Sequence, residues 1–174
     1  MRGLLEVPLS RFCSALMSLI LASGALSAGD YDALMGAVKK SWPQCTTVAV
    51  VCDSTSSRAG LASLVSSAGG LKLVVVDVKG PQDMGKAVGT LTGRKPDAIV
   101  LLAGDHVAGD GSTAASFLIQ RMAAMKIPTA ATTEAGVKQG AALGIGPGTG
   151  GKLLSNAKVA IVAGVGVPAG ASSL

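Results

Sequence analysis

Few residues in this chain could do chemistry, and His106, the sole histidine in 174 residues, is the natural place to begin. It follows Asp105 and lies close to Asp110, so proton transfer and metal ligation both have to be weighed. No second histidine and no nearby cysteine completes a metal set, and no metal or other cofactor is expected. A Ser-His-Asp site can be assembled on paper from Ser54, His106 and Asp53, but no strand-to-helix nucleophile elbow supports it. The segment Gly146 to Leu153, GPGTGGKL, contains G-x-x-x-x-G-K and follows an apolar run, as a phosphate-cradling loop would. Leu153, however, stands where a Ser or Thr would hold magnesium. G-x-G-x-x-G also occurs at Gly146, Gly148 and Gly151, with little chain beyond it for a dinucleotide fold. A glycine turn is the plainer reading. Cys45 and Cys52 bracket a run that reads as extended, so about seven residues at ~3.3 Å each hold them too far apart for a disulfide.

These residues acquire meaning from the elements that must place them. After a helix from Tyr31 to Lys40, the chain repeats strand, polar or glycine turn, and helix. Thr46 to Cys52, Leu71 to Val76, Ala98 to Leu102 and Thr129 to Ala131 read as strands, with Ala141 to Ile145 as a fifth. Their nearly continuous apolar runs suit parallel strands covered on both faces. Between them, Leu61, Leu64, Val65 and Ala68 give one helix its apolar face. Met84, Val88 and Leu91 do so for the next, and Phe117, Leu118, Met122 and Met125 for the third. Pro81-Gln82-Asp83, Asp110-Gly111-Ser112-Thr113 and Thr132-Thr133-Glu134 mark helix starts, and Gly69-Gly70 and Gly140 mark stops. Beyond Gly146, Thr149 to Asn156 reads as two helical turns, Lys158 to Val165 as a last apolar strand, and Pro168 to Leu174 as a loose tail. Such alternation predicts a three-layer α-β-α sandwich with a mainly parallel sheet, of flavodoxin-like or Rossmann-like kind.

Open parallel sheets bind ligands at the carboxyl ends of their strands. Asp53, Ser54, Asp105, His106, Thr132 and Glu134 all fall at that edge, which makes them candidate ligand-binding residues. Acids there suit an amino group, while hydroxyls and helix-start amides suit a carboxylate. Asp53 and Thr132 also serve as helix caps in the same reading.

A family resemblance rests on Pro128, Thr132-Thr133-Glu134 and Val137 to Gly144 (VKQGAALG), with Trp42-Pro43, Val48 to Asp53, Lys95 to Val100 and Asp105-His106 upstream in matching order. This pattern resembles the second lobe of the substrate-binding proteins of uncharacterised ABC transport systems, which are type I periplasmic-binding-protein-like. It covers roughly Leu34 to Gly146. The tyrosine pair that the family carries is replaced by Gly146-Pro147, and no counterpart of the first lobe is present. The resemblance implies a periplasmic-binding-protein-like lobe holding a small solute, such as an amino acid, facing a cleft between lobes. It also implies an ABC transporter membrane component as partner. A lone lobe offers half a cleft, so a homodimer or a separate first lobe would complete it. An alternative is a protein-interaction or regulatory module that kept the scaffold and lost transport. Either way the expected role is binding and not catalysis.

Composition bounds the rest. Hydrophobic residues make up 49% and aromatics 2%, with mean hydropathy +0.53, so the core has to be built from Ala, Val and Leu. Met1 to Leu26 contributes to that excess. Arg2 and Arg11 flank an apolar run, Phe12 to Ala22, too short to span a bilayer comfortably, and small residues follow. Residues 1–28 therefore read as a signal peptide, 29–167 as the single lobe and 168–174 as tail, with an exported, periplasmic or extracytoplasmic product. Loss of Arg2, Arg11 and Glu6 from 15 basic and 10 acidic residues leaves a charge of about +4. The basic residues look scattered along the sequence and stacking aromatics are scarce, so nucleic acid is not an expected partner.

Overall fold

The structure, a computed structural model, describes residues 28–146 and 152–174. The proposed signal peptide, apart from Ala28, and the interior of the Gly146–Lys152 loop lie outside the described residues. The chain opens with α1 (Ala28–Ser41), then β1 (Thr47–Cys52), α2 (Arg58–Ser66), β2 (Lys72–Asp77), a 3-10 turn (Pro81–Asp83) and α3 (Met84–Arg94). It continues with β3 (Ala98–Leu101), α4 (Thr113–Ala124), β4 (Thr129–Ala130), α5 (Glu134–Lys138) and β5 (Leu143–Ile145). β6 (Leu153–Ser155), α6 (Ala157–Ala163) and β7 (Ser172–Ser173) complete it.

All seven strands form one sheet in the order β2-β1-β3-β4-β5-β6-β7. β1 pairs in parallel with β2 from Thr47↔Lys72 to Cys52↔Asp77, and with β3 from Val48↔Ala98 to Val51↔Leu101. β4 and β5 continue the parallel order, β6 runs antiparallel to β5, and β7 follows β6 in parallel. The sheet is thus mainly parallel, in a three-layer α/β arrangement.

β1 explains the two-sided burial. Val48, Val50 and Cys52 point to one face, where they meet Leu34, Val38, Leu64 and Val100. Ala49 and Val51 point to the other, against Leu91, Leu101, Leu118 and Met122. Alternation along a strand puts neighbours on opposite faces, so a strand covered on both must be apolar at every position. Small residues set the layer spacing. A Cβ at Gly144 would collide with the Val137 side chain, and one at Gly136 with Ala131, so these two glycines let α5 lie close on the sheet.

Two apolar faces differ from the sequence reading. Val65 is 54% exposed, and Phe117 faces outward with the Arg121 guanidinium 5.4 Å from its ring centre. α4 instead buries Ala115, Leu118, Ile119 and Met122, the i, i+3, i+4, i+7 set of a single stripe.

The C-terminal part departs further. Leu153–Ser155 is a strand where helical turns were expected, and Ala157–Ala163 is a helix where a strand was expected. Asn156 decides the second case, because its side chain accepts from the Val159 amide and Gly164 closes the helix at φ 71°. A capped start and a left-handed stop outweigh the β-branched run between them. The expected loose tail is also tied down: Ser172–Ser173 pairs with β6, and the Leu174 amide donates to the Ser155 carbonyl at 3.0 Å.

Candidate functional site

The carboxyl ends of β1, β2 and β3 lie side by side, so the first residues after each strand share a rim. Asp53 follows β1 and is fixed at both ends. Its amide donates to Asp105 Oδ2 at 2.8 Å, while its own Oδ1 accepts from the Thr55 amide at 2.9 Å and from Lys79 Nζ at 2.5 Å. The Lys79 contact, then the Thr55 amide, holds the Asp53 carboxyl well below the usual carboxylate range. Lys79 comes from just beyond β2 and reaches Asp77 Oδ2 as well, at 3.2 Å. Asp77 in turn accepts from the Ser54 hydroxyl at 2.7 Å and the Ser54 amide at 2.9 Å, which lowers its pKa, while the Asp53 contact leads in raising that of Lys79.

His106 stands opposite this network. Its Nδ1 lies 2.9 Å from Ser56 Oγ and its Nε2 lies 3.6 Å from Asp53 Oδ2, and the side chain is 56% exposed. Thr55 Oγ1 completes the rim by accepting from Lys79 at 2.8 Å. Serine, histidine and aspartate therefore do meet, although the serine is Ser56. Ser54 turns to Asp77. The aspartate is separated from the imidazole and bound to a lysine, so the group presents cation, imidazole and hydroxyls to a ligand more readily than it assembles a relay for nucleophilic attack.

Asp105 has a different place. Its Oδ2 accepts from the Asp53 amide and from Ser57 Oγ at 2.5 Å, and its Oδ1 from the Val107 and Ala108 amides at 3.0 and 2.7 Å. With four donors on a carboxylate that is 6% exposed, it fixes the β1 and β3 loops relative to each other and positions Asp53 and His106. Thr132 and Glu134 sit further along the rim, after β4. The Thr132 amide and hydroxyl both donate to Asp110 Oδ2, at 2.7 and 2.9 Å, and Glu134 pairs with Lys138 one helical turn on, at 2.6 Å.

The structure thus gathers Asp53, Ser54 and His106, uses Asp105 beneath them, and places Thr132 and Glu134 in separate contacts. Sequence reasoning missed Lys79, Asp77, Ser56 and Asp110. The signal for the first two was present: the rim argument applied to β1 and β3 holds equally for Asp77-Val78-Lys79 at the end of β2. Among the described residues no three His, Cys, Asp or Glu side chains gather as a metal site would require.

No family model matches the chain and no curated protein matches it. Solved structures do. The ABC domain from Streptococcus pneumonia in complex with L-Trp is 17% identical with a TM-score of 0.70, over 83% of this chain and 60% of that one. A conserved domain protein from Vibrio cholerae is 20% identical with a TM-score of 0.68, over 82% of this chain and 59% of its own. The ligand-free, open structure of a substrate binding protein with adhesive properties from Clostridium difficile is 18% identical with a TM-score of 0.66, over 81% and 58%. The chain spans about 60% of the length of the structures it matches. It has the α/β fold found in substrate-binding proteins.

Proposed function

We propose that the chain is an exported solute-binding lobe, equivalent to the second lobe of an ABC-transport substrate-binding protein, which holds a small solute at the carboxyl rim without transforming it. The observation that supports this most is the rim cluster of Asp53, Ser56, Lys79 and His106 on a fold shared with a structure solved with L-Trp. An amino acid suits it: Lys79 and His106 would face the carboxylate and Asp53 the amino group. A lobe spanning about 60% of its structural neighbours presents one wall of a cleft. A homodimer or a separately encoded first lobe would supply the other, and a membrane component would receive the solute.

The test is thermal unfolding of the full chain against amino acids, small organic acids, sugars and nucleotides. A solute at ~100 times its dissociation constant adds about 2.7 kcal/mol of stability. A selective shift that disappears in His106→Ala and Lys79→Met supports the reading. The absence of a shift with every solute favours the alternative, an interaction or regulatory module on the same scaffold. Export is tested separately by N-terminal sequencing of the secreted product.

A further inference from the structure

The fold sorts charge in a way the sequence hides. Helices that follow parallel strands run back from the carboxyl rim to the opposite, amino edge of the sheet, so residues at helix C-termini and strand starts collect there. α1 ends on Lys39-Lys40, β2 starts with Lys72, α3 ends on Arg94 followed by Lys95, and Lys126 follows α4. A cation at each helix end suits the helix dipole. That accounts for individual lysines but not for the lack of acids beside them. Asp97 is the sole acid at this edge among the described residues, and its Oδ2 is taken by the Thr46 amide and hydroxyl and the Thr47 amide. Lys39 caps the Gly69 carbonyl. Lys40, Lys72, Arg94, Lys95 and Lys126 are exposed and form no ion pair among the described residues.

Uncovered aliphatic side chains belong to the element that starts at this edge. α6 begins at the same edge after Ser155 and exposes Ile161 (76%) and Val162 (61%), with Val167 (42%) just beyond. Gly164 to Gly166 line, together with Trp42, Asp97 and Lys126, a recess of about 430 Å³ that opens there. We infer that the amino edge is a docking face for the surface of an anionic phospholipid bilayer. Distributed cations suit a sheet of lipid phosphates, and short aliphatics suit the headgroup–acyl boundary. Nucleic acid fits less well, since Trp42 and Tyr31 are buried and offer no ring on which bases could stack. The inference is independent of the solute site, which occupies the other edge.

Cosedimentation of the full chain with vesicles tests it, comparing phosphatidylcholine alone with phosphatidylcholine containing phosphatidylserine. The readout is the change in the difference between the two on substitution at the edge, because the Met1 to Leu26 segment, with Arg2 and Arg11, is common to every variant. Lys95 and Lys126 have φ of 46° and 59°, a conformation asparagine tolerates, so Lys95→Asn/Lys126→Asn removes two charges with the turns kept. At about fivefold per basic residue, its partition onto anionic vesicles should fall about 25-fold. The control Arg58→Gln/Lys86→Gln removes two charges from helix starts at the opposite edge and should change it little. Raised salt should abolish the anionic preference in the unmodified chain. Equal binding to both vesicle types, equal losses in the two double variants, or displacement from the vesicles by duplex RNA or DNA would overturn the proposal.

Discussion

Asp105 and Asp110 show how the same side chain can be an asset or a burden within a few residues. Asp105 is surrounded by donors, three of them main-chain amides of the loops that shape the rim. Removing its carboxylate strands those donors, and each unmet buried donor costs about 1–3 kcal/mol. Asp105→Ala should therefore lose about 3 kcal/mol or more in urea unfolding, with or without solute. Asp110 is the opposite case. Burial raises its pKa although Thr132 donates twice to Oδ2 and Thr133 lies close by, and its Oδ1 makes no well-formed hydrogen bond among the described residues. The neighbouring Thr133 hydroxyl likewise makes none among the described residues. An amide at this position keeps the accepting oxygen and relieves the buried charge, so Asp110→Asn should match or exceed the parent's stability at neutral pH. The sign follows from linkage. A carboxyl with a raised folded pKa destabilises the native state when both forms are ionised, and that cost fades as pH falls through the folded value. The advantage of Asp110→Asn should shrink on acidification, and an advantage that grows would refute the assignment.

At the level of elements, α6 carries the clearest lesson. The run Lys158 to Val165 is apolar and β-branched, which reads as a strand, yet Asn156 and Gly164 frame it as a helix. Asn156→Ala should cost about 1 kcal/mol in urea unfolding, whereas Asn156→Asp, which keeps an accepting oxygen, should cost little. Equal losses would mean that the cap bond contributes nothing. β1, β3, β4 and β5 were legible because two-sided burial leaves an unbroken apolar run, the edge strand β2 through its valine run although Val75 is exposed, and the helices between them because their stops are glycines or precede proline. The residues from Leu153 onward were not, since β6 and β7 are too short for any periodicity and exist through pairing with β5 and with each other. The site was legible in part for a related reason. Asp53, Ser54 and His106 follow strands that were recognised, but the choice of Ser56 over Ser54 depends on the loop turn. The assignment of Asp105 to backbone amides depends on which loop lies over which, and no local pattern encodes that.

Across the whole molecule, titrating groups at both edges of the sheet set the response to pH. Asp53 and Asp77 have depressed pKa values, chiefly through Lys79 and Ser54 respectively, and Asp97 through the Thr46 amide. A depressed carboxyl stabilises fully above its unfolded pKa, about 4, and that contribution is lost as pH falls through its folded value. The onset on the alkaline side belongs to the buried thiols, with the raised Lys79 adding a loss at higher pH. Burial pushes Cys45 to about 11 and Cys52 to about 12, from 9.0, and Tyr31 to about 12 from 10.0. Both cysteines are free and buried. The unfolded chain loses these protons first, so stability should fall as pH rises above about 9. A plateau follows, its acid side set by the depressed carboxyls and its alkaline onset by the unfolded-state thiols, and one substitution separates the two. Lys79→Met removes the cation shared by Asp53 and Asp77, which brings their folded pKa values back toward the ordinary range. The acid edge of a stability-versus-pH curve should then change, with less stability at neutral pH left to lose on acidification. The alkaline onset set by the thiols should stay in place. An unchanged acid side in Lys79→Met would mean that the ion pairs of Lys79 with Asp53 and Asp77 contribute nothing to stability.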